Sequence, residues 1–206
     1  MPISERDQQL PTSGRALIAW PPDAAVDALA AELGIHARGT HVLIPQANNT
    51  RPSLSADHGL AGFPWHTDGA TQFSPPRWLM MRALEPCETP TLILDGLTVT
   101  EDAGLRAAMQ GAIWRVAGGR RPFFAPVVGP RDGALRWNPD IMHPMGRHAA
   151  SIDPKLRATL SAEPGIVHRW KVGEVLLLDN HRWLHARPEV DGRDILNRRL
   201  ERILGD

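Results

Sequence analysis

The sequence lacks the features that mark membrane-bound, nucleic-acid-binding and disulfide-stabilised proteins. No apolar run approaches the roughly 20 residues that cross a bilayer, and the N-terminal stretch is polar, so neither a membrane span nor a signal peptide is predicted. Lys plus Arg equals Asp plus Glu at 23 each, without a concentrated basic stripe, which disfavours a nucleic-acid partner. Cys87 is the only cysteine and cannot form an internal disulfide, so we expect an unpaired thiol in a cytoplasmic protein.

The sequence also lacks internal repeats, low-complexity tracts and any Gly/Ser run or charge block that would separate domains. Its 206 residues suffice for one domain with a substantial core, so we expect a single compact domain spanning residues 1–206. The 19 Pro and 18 Gly residues are spread through the chain, which indicates many short elements joined by turns. This composition favours a β-rich fold over a helical bundle.

Short apolar runs bounded by Pro, Gly and polar residues predict many strands and few helices. Helices are predicted at 23–33, after a capping box at Thr98–Glu101, and from an Asp153-Pro154 start through Leu160. The runs at 78–84 and 91–96 have a short connection and predict an antiparallel hairpin. Because β-α-β alternation is missing, we expect a sheet sandwich or open barrel with helices on one face. The predicted strands lie at 40–45, 78–84, 91–96, 113–116, 123–128, 135–137, 166–170, 174–178 and 198–204.

The segment Phe63–Gly69 contains His66 and Asp68, the only His and Asp in H-x-D order. On an extended backbone, alternate side chains point to the same side, so an imidazole nitrogen and a carboxylate oxygen could bind one divalent metal ion. Such a pair arises easily by chance, and Asp68 before Gly69 also fits an ordinary turn. The motif therefore indicates a metal site only if other residues complete it.

A second polar cluster follows a strongly apolar strand near the C-terminus. Val175–Leu178 leads into Asp179-Asn180-His181-Arg182, and His185 follows shortly afterwards. Polar groups at the end of a buried strand must be hydrogen-bonded, ion-paired or bound to a ligand, and a metal ion with an anionic ligand would satisfy them. His185 is the candidate metal ligand here. The alternatives are His181, which has the spacing to share its face, and a core histidine without a metal.

Together these segments resemble the iron(II)- and 2-oxoglutarate-dependent dioxygenases of the group that includes taurine dioxygenase and clavaminate synthase. That group has an H-x-D motif, a distal His after a strand ending in Asp-Asn, an Arg shortly after that His, and a second Arg four positions further on. The resemblance covers roughly Phe63 to Leu204 and includes Thr91, where the family has a Thr that contacts 2-oxoglutarate. The residues that match the pattern are His66, Asp68, His185, Arg198 and Arg202.

The resemblance implies a mainly β fold with flanking helices around a double-stranded β-helix (jelly-roll, cupin-like) core. It also implies an enzyme that uses iron(II), 2-oxoglutarate and O2. His66, Asp68 and His185 would occupy one face of iron(II) and leave three coordination positions free. Arg198 would hold the distal carboxylate of 2-oxoglutarate in a bidentate pair, beside Thr91. The implied reaction hydroxylates an unactivated C–H bond of a small anionic or amino-acid-like metabolite and releases succinate and CO2.

Three further residues are predicted to contact the substrate. Arg202 shares a strand face with Arg198 and could meet an anionic group, as the equivalent Arg does in several relatives; a solvated charge or an ion-pair partner is the alternative. Arg136 and Asn138 belong to a stretch similar to the Arg-aromatic-Asn/Asp segment that lines the active-site mouth of relatives; a purely structural role is the alternative. The loops at 46–62 and 126–147 are the expected determinants of substrate choice.

The interval between Asp68 and His185 is shorter than in familiar members of the group, which leaves less chain for a lid over the substrate. We therefore expect a site that is either open, suiting a bulky or carrier-bound substrate, or completed by a second subunit in a homodimer. Because related halogenases carry a small residue at the position of Asp68, halogenation is disfavoured. The alternative functions are a cupin-type metal oxygenase or isomerase that does not use 2-oxoglutarate, and a non-catalytic β-sandwich that binds a small anion.

Overall fold

Strands dominate the computed structural model of the protein, which describes residues 12–45 and 57–206. Each strand has three to seven residues, as the dispersed Pro and Gly residues predict. The helices are α1 (Val26–Glu32), α2 (Gly96–Val99), α3 (Ala103–Gly111) and α4 (Gly146–Ala162). The strands are β1 (Arg15–Ala19), β2 (Ala37–Leu43), β3 (Phe63–His66), β4 (Trp78–Ala83), β5 (Thr91–Asp95), β6 (Ile113–Val116), β7 (Phe123–Ala125), β8 (Met142–Met145), β9 (Ile166–His168), β10 (Glu174–Asp179), β11 (Trp183–Arg187) and β12 (Leu200–Gly205).

The described strands form three antiparallel sheets. The first has the order β1-β10-β4-β12-β2, the second has the order β3-β11-β5-β9, and a small third sheet has the order β7-β6-β8. In both large sheets, most neighbouring strands are far apart in the sequence, which distinguishes the arrangement from a simple meander. The prediction of a mainly β fold with flanking helices is confirmed.

Strand β10 shows why the C-terminal apolar run does not alternate with polar residues. Val175 and Leu177 pack with α1 on the outer face of the first sheet, whereas Leu176 and Leu178 point to the opposite face. All four side chains are at most 1% exposed, because both faces of the strand are covered. Full burial of each such side chain stabilises the fold by roughly 1.5–3 kcal/mol, so this strand is a central part of the core.

The inner faces of the two large sheets pack against each other. Their shared core includes Met81 from β4, Ile93 from β5, Trp183 from β11 and Leu200 from β12. On the outer face of the second sheet, Leu94 packs with side chains of α3, α4 and the third sheet. Within residues 12–45 and 57–206, no helix is long and apolar enough to cross a membrane.

The predicted hairpin of β4 and β5 is wrong. Strand β4 lies in the first sheet between β10 and β12, whereas β5 lies in the second sheet between β11 and β9. All six residues of β4 are buried, so its backbone needs hydrogen-bonded neighbours on both sides. The two C-terminal strands provide them, and the short connection after β4 passes to the other sheet instead of turning back.

The predicted capping box at Thr98–Glu101 is also wrong. The Asp95 carboxylate accepts the Leu97 N–H and caps α2, and the Asp102 carboxylate accepts the Leu105 N–H and caps α3. Aspartate is among the strongest helix N-caps, and these two residues bracket the predicted position. Helix α3 nevertheless follows the predicted position, and its inner-face residues Leu105 and Met109 are buried.

Helix α4 begins at Gly146, so Asp153 and Pro154 lie inside it instead of at its start. The buried Asp153 carboxylate accepts a hydrogen bond from the Trp114 indole at 3.1 Å, which accounts for a polar residue on the inner face. The predicted strand at 135–137 is reduced to an isolated bridge between Val128 and Leu135. The Asp153-Pro154 helix start and the strand at 135–137 were predicted from local sequence, but contacts with residues distant in the sequence decide the structure at both places.

Candidate metal centre

His66 and His185 lie directly opposite each other on neighbouring antiparallel strands, β3 and β11. Their ring centroids are 4.1 Å apart. Strand β3 is at the edge of its sheet, a position that tolerates Pro64. His66 Nδ1 donates a hydrogen bond to the Pro64 carbonyl at 2.9 Å. This bond selects the tautomer in which Nε2 of His66 carries a lone pair that a metal ion can accept.

Asp68 lies in the turn after β3, not on a continuing strand as predicted. Thr67, between the two candidate ligands, exchanges hydrogen bonds with the Trp137 backbone at 2.8 and 3.1 Å. Gly69 completes the turn with a φ of +68°, and a Cβ there would lie 2.5 Å from Pro76. The turn thus requires glycine after Asp68. The turn role considered for Asp68 is therefore compatible with a role as a metal ligand.

Asn180 fixes the backbone of Asp68, and sequence analysis did not single it out. Its buried side chain accepts the Asp68 N–H at 2.8 Å and donates to the carbonyls of Asp68 and Pro76 at 2.9 and 2.8 Å. A side-chain amide supplies one acceptor and two donors in this way, which a carboxylate or a hydroxyl cannot. The polar end of β10, predicted to need partners, thus holds the H-x-D turn in place.

His66, Asp68 and His185 each present one possible ligand atom, and these atoms lie within 4.8 Å of one another. His185 Nε2 is 3.7 Å from Asp68 Oδ2. That oxygen is buried and has no hydrogen-bond partner among the described residues, although buried polar atoms are normally satisfied. Two imidazole nitrogens and one carboxylate oxygen at these mutual distances could bind one divalent iron ion.

The alternative ligand, His181, is not part of this group. Its Nε2 lies 3.1 Å from the Pro75 carbonyl oxygen, and its side chain lines a separate pocket of about 280 Å³. The structure therefore gives His181 a contact outside the candidate centre, while His185 faces Asp68.

Burial keeps both imidazoles neutral. It lowers the pKa of His66, although the charge of Asp68 opposes this, and it lowers the pKa of His185 to about 3. Burial by itself would raise the pKa of the Asp68 carboxyl, but the Arg202 guanidinium and the two imidazoles lower it below its ordinary value. At neutral pH the site presents two neutral nitrogens and one carboxylate, which is the protonation state that binds a metal ion.

A cavity of about 750 Å³ opens onto these three side chains. Thr91 and Arg198 also line it, and both are buried. Arg198 lies just before β12 instead of within it as predicted, and its backbone N–H donates to the Asp194 carbonyl at 2.9 Å. Its Nε is buried, and in the described part of the chain it has no hydrogen-bond partner. A buried guanidinium that faces a cavity in this way is suited to an anionic ligand.

The three residues predicted to contact the substrate differ in whether they line the cavity. Arg202 lines the cavity, but its Nη1 donates to Asp68 Oδ1 at 2.9 Å. Asn138 lines the cavity and accepts the Asp140 N–H with its side-chain oxygen. Arg136 is not among the cavity residues, because its guanidinium donates to the backbone carbonyls of residues 70, 72 and 73. The structure thus gives Arg136 the role of supporting the loop after Asp68.

The two loops predicted to select the substrate are only partly described. Residues 46–56 of the first loop lie outside the described residues, whereas Asp57 and Phe63 at its end line the cavity. From the second loop, Asn138 and Ile141 reach the cavity wall. Only the C-terminal end of the first loop is described, so its role in substrate choice stays a prediction.

Arg187 also lines the cavity, although sequence analysis did not identify it. Its guanidinium stacks 3.8 Å from the centre of the Phe63 ring and donates to the carbonyls of Gly59 and Ala61 at 2.8 and 2.6 Å. Burial and the charge of Arg198 lower the pKa of Arg187 to about 10, so it stays protonated at neutral pH. Its position two residues after His185, which places both on one strand face, is the signal that could have found it.

Comparison with known proteins finds similarity at the level of structure. No family model matches the chain, and no curated protein matches its sequence. Asparagine oxygenase in complex with Fe(II), 2S,3S-3-hydroxyasparagine and succinate is 22% identical with a TM-score of 0.66, over 80% of this chain and 56% of that one. The non-heme iron oxygenase OrfP in complex with Fe and alpha-ketoglutaric acid is 20% identical with a TM-score of 0.67, over 87% and 62% of the two chains. PvcB from Pseudomonas aeruginosa is 18% identical with a TM-score of 0.66, over 93% and 75%.

These similarities establish the fold. The core shares the fold of asparagine oxygenase and OrfP, so the predicted double-stranded β-helix is confirmed. The chain spans 56% of the length of asparagine oxygenase and 62% of that of OrfP. A common fold can host many chemistries, so the activity has to be inferred from the site.

Proposed function

We propose that the protein is a non-haem iron(II)- and 2-oxoglutarate-dependent oxygenase. It would hydroxylate an unactivated C–H bond in a small anionic or amino-acid-like metabolite and release succinate and CO2. The observation that carries this proposal is the group of His66, Asp68 and His185 on a cavity that Arg198 also lines. The fold neighbours that were solved with iron and with alpha-ketoglutaric acid or succinate support it.

Each side chain has a defined task in this reaction. His66, Asp68 and His185 would hold iron(II) through the ligand atoms that face one another and leave half of its octahedral shell open. The bound metal would supply the activation of O2. Arg198 would hold the distal carboxylate of 2-oxoglutarate, because its guanidinium can form two parallel hydrogen bonds with a carboxylate. Thr91, on the same cavity wall, would donate a further hydrogen bond to that co-substrate.

The charge around the cavity favours an anionic or zwitterionic substrate. Among the described residues that line it, Arg187, Arg198 and Arg202 exceed Asp57 and Asp68 by one positive charge. Iron(II) and the 2-oxoglutarate dianion cancel each other, so the excess positive charge remains for the substrate. The hydroxyasparagine bound to asparagine oxygenase is zwitterionic and supports the same choice.

Anaerobic titration with iron(II) and then 2-oxoglutarate tests the proposal. The expected result is a weak visible metal-to-ligand charge-transfer band, which shifts when a substrate from a metabolite library binds. We expect His185→Ala to abolish the band and His181→Ala to retain it, because His181 contacts the Pro75 carbonyl outside the candidate centre. Retained iron binding in His185→Ala would contradict the assignment of this ligand.

The same titration separates the alternative functions. Iron binding without a band on addition of 2-oxoglutarate would contradict the co-substrate and favour a cupin-type metal oxygenase or isomerase. Undetectable iron affinity with intact binding of small anions would favour a non-catalytic protein. A carrier-bound substrate, completion of the site by a second subunit and a cytoplasmic location stay predictions. A monomer in solution with a fully closed pocket would contradict both an open site and one shared between subunits.

A further inference from the structure

The two oxygens of the Asp68 carboxylate have different environments. Oδ1 accepts a hydrogen bond from Arg202 Nη1 at 2.9 Å. Oδ2 faces His185 Nε2 at 3.7 Å and is buried without a hydrogen-bond partner in the described part of the chain. Arg202 thus engages Oδ1, whereas Oδ2 is free of hydrogen bonds on the side of His185.

We propose that Arg202 is a positioning residue that occupies Oδ1, so that Asp68 can bind a metal ion through Oδ2 alone. This inference rests on the proposed function and refines it. It gives Arg202 a role besides the predicted substrate contact, because its Nη1 is engaged by Asp68.

The number of oxygens that Asp68 donates decides how many coordination positions stay open. Carboxylates bind metal ions through one oxygen or through both. With one oxygen, two imidazoles and the carboxylate occupy three of the six octahedral positions. With both oxygens, only two positions remain. A 2-oxo acid that binds through its carboxylate and oxo oxygens would then fill the shell and leave no place for O2.

The fold delivers the Arg202 guanidinium from a rigid position. Strand β12 is hydrogen-bonded on both sides, and Arg202 is the register partner of Met81 on β4 and His41 on β2. Its side chain is only 22% exposed, so solvent competes little for the hydrogen bond with Asp68. The Asp68 backbone is fixed independently by the Asn180 amide. Both partners of the ion pair are therefore held before a metal ion binds.

Cobalt(II) is a suitable probe, because the intensity of its visible absorption changes with coordination number and it needs no anaerobic handling. We expect wild-type protein and Arg202→Lys to give the same spectrum with cobalt(II) alone, since Lys retains a donor for Oδ1. Arg202→Met and Arg202→Ala should give a different spectrum before any 2-oxoglutarate is added. Their affinity for 2-oxoglutarate should then fall by about 10- to 100-fold. Urea denaturation of each metal-free variant checks that it is folded.

Arg198→Met provides the matched control. It removes a buried guanidinium from the same cavity, and no hydrogen bond joins that guanidinium to Asp68 in the described structure. We expect weaker 2-oxoglutarate binding with an unchanged cobalt(II) spectrum. Unchanged metal spectra in both Arg202→Met and Arg202→Ala would overturn the inference, even if 2-oxoglutarate binding weakened, and would leave the proposed function standing. Failure of the wild-type protein to bind cobalt(II) would overturn both.

Discussion

Replacing Asn180 with Asp tests how the candidate centre is held in the fold. The two side chains have nearly the same shape, but a carboxylate only accepts hydrogen bonds. Asn180→Asp keeps an acceptor for the Asp68 N–H and loses the two donors that reach the carbonyls of Asp68 and Pro76. Those carbonyls would then face a negatively charged oxygen in a fully buried position.

The expected loss of stability follows from the two unsatisfied carbonyls. Each buried acceptor left without a donor costs about 1–3 kcal/mol, so the free energy of unfolding should fall by about 2–6 kcal/mol at neutral pH. That is a large part of the roughly 5–15 kcal/mol that stabilises a typical domain. Burial raises the pKa of the new carboxyl, and its protonated form can donate one hydrogen bond. The loss relative to wild type should therefore shrink as the pH is lowered.

Urea denaturation of the metal-free protein measures this loss, and Asn197→Asp is the matched control. Asn197 is exposed and donates to the Arg193 carbonyl at 3.2 Å, so the same substitution there should change stability by about 0.5 kcal/mol or less. Iron(II) titration of the folded Asn180→Asp protein should also show weaker binding, because Asp68 is no longer held. Equal losses in the two variants would refute the role assigned to Asn180.

Two further substitutions give separate expectations. Gly69→Ala and Gly34→Ala both force alanine into a left-handed conformation, which costs about 1–2 kcal/mol each. Only the Cβ at Gly69 would clash with a neighbour, Pro76, so urea denaturation should show a free energy of unfolding that is lower by about a further 1–3 kcal/mol in Gly69→Ala. Equal losses would argue against that contact. Burial opposes ionisation of Asp194, but hydrogen bonds from Thr89 and Glu88 lower its pKa below the ordinary 3.8. The ionised Asp194 therefore stabilises the fold above that pH, and this contribution is lost as the pH falls through the pKa of Asp194 in the folded protein. Asp194→Asn should therefore be less stable than the wild type at neutral pH and should lose less stability on acidification. Urea denaturation at several pH values measures both. If the free energy of unfolding of the variant depended on pH as that of the wild type does, this role of Asp194 would be excluded.

The sequence could predict which three residues form the candidate metal group, because the family resemblance assigns a role to H-x-D and to the distal His, and the structure brings these side chains together. The strand positions of β4, β5 and β10 could also be predicted from their apolar runs. Their partners could not, since a short connection between β4 and β5 predicts a hairpin equally well when the strands belong to different sheets. Pairing depends on burial on both faces, which local spacing does not specify.

The supporting contacts of the site were the least predictable. Asn180 and Arg187 act through the backbone carbonyls of residues distant in the sequence, and a carbonyl has no residue-specific signal. Arg136 was predicted to contact the substrate, yet carbonyls of the loop after Asp68 occupy its donors. The ion pair between Arg202 and Asp68 also joins distant residues, so their types alone could not show which anion the arginine meets.

The pairing of His66 with His185 means that metal binding at the candidate centre would require the native register of β3 and β11. A slip of one residue between β3 and β11 would turn one imidazole to the opposite face, so a metal ion would bind the native pairing only. Binding to the native state alone would add about 2.7 kcal/mol of stability at a metal concentration 100 times the dissociation constant. The edge strand β3 has a neighbour on one side in the described sheet, and the ion would fasten it to β11. A metal ion bound at this centre would thus also stabilise the edge of the second sheet.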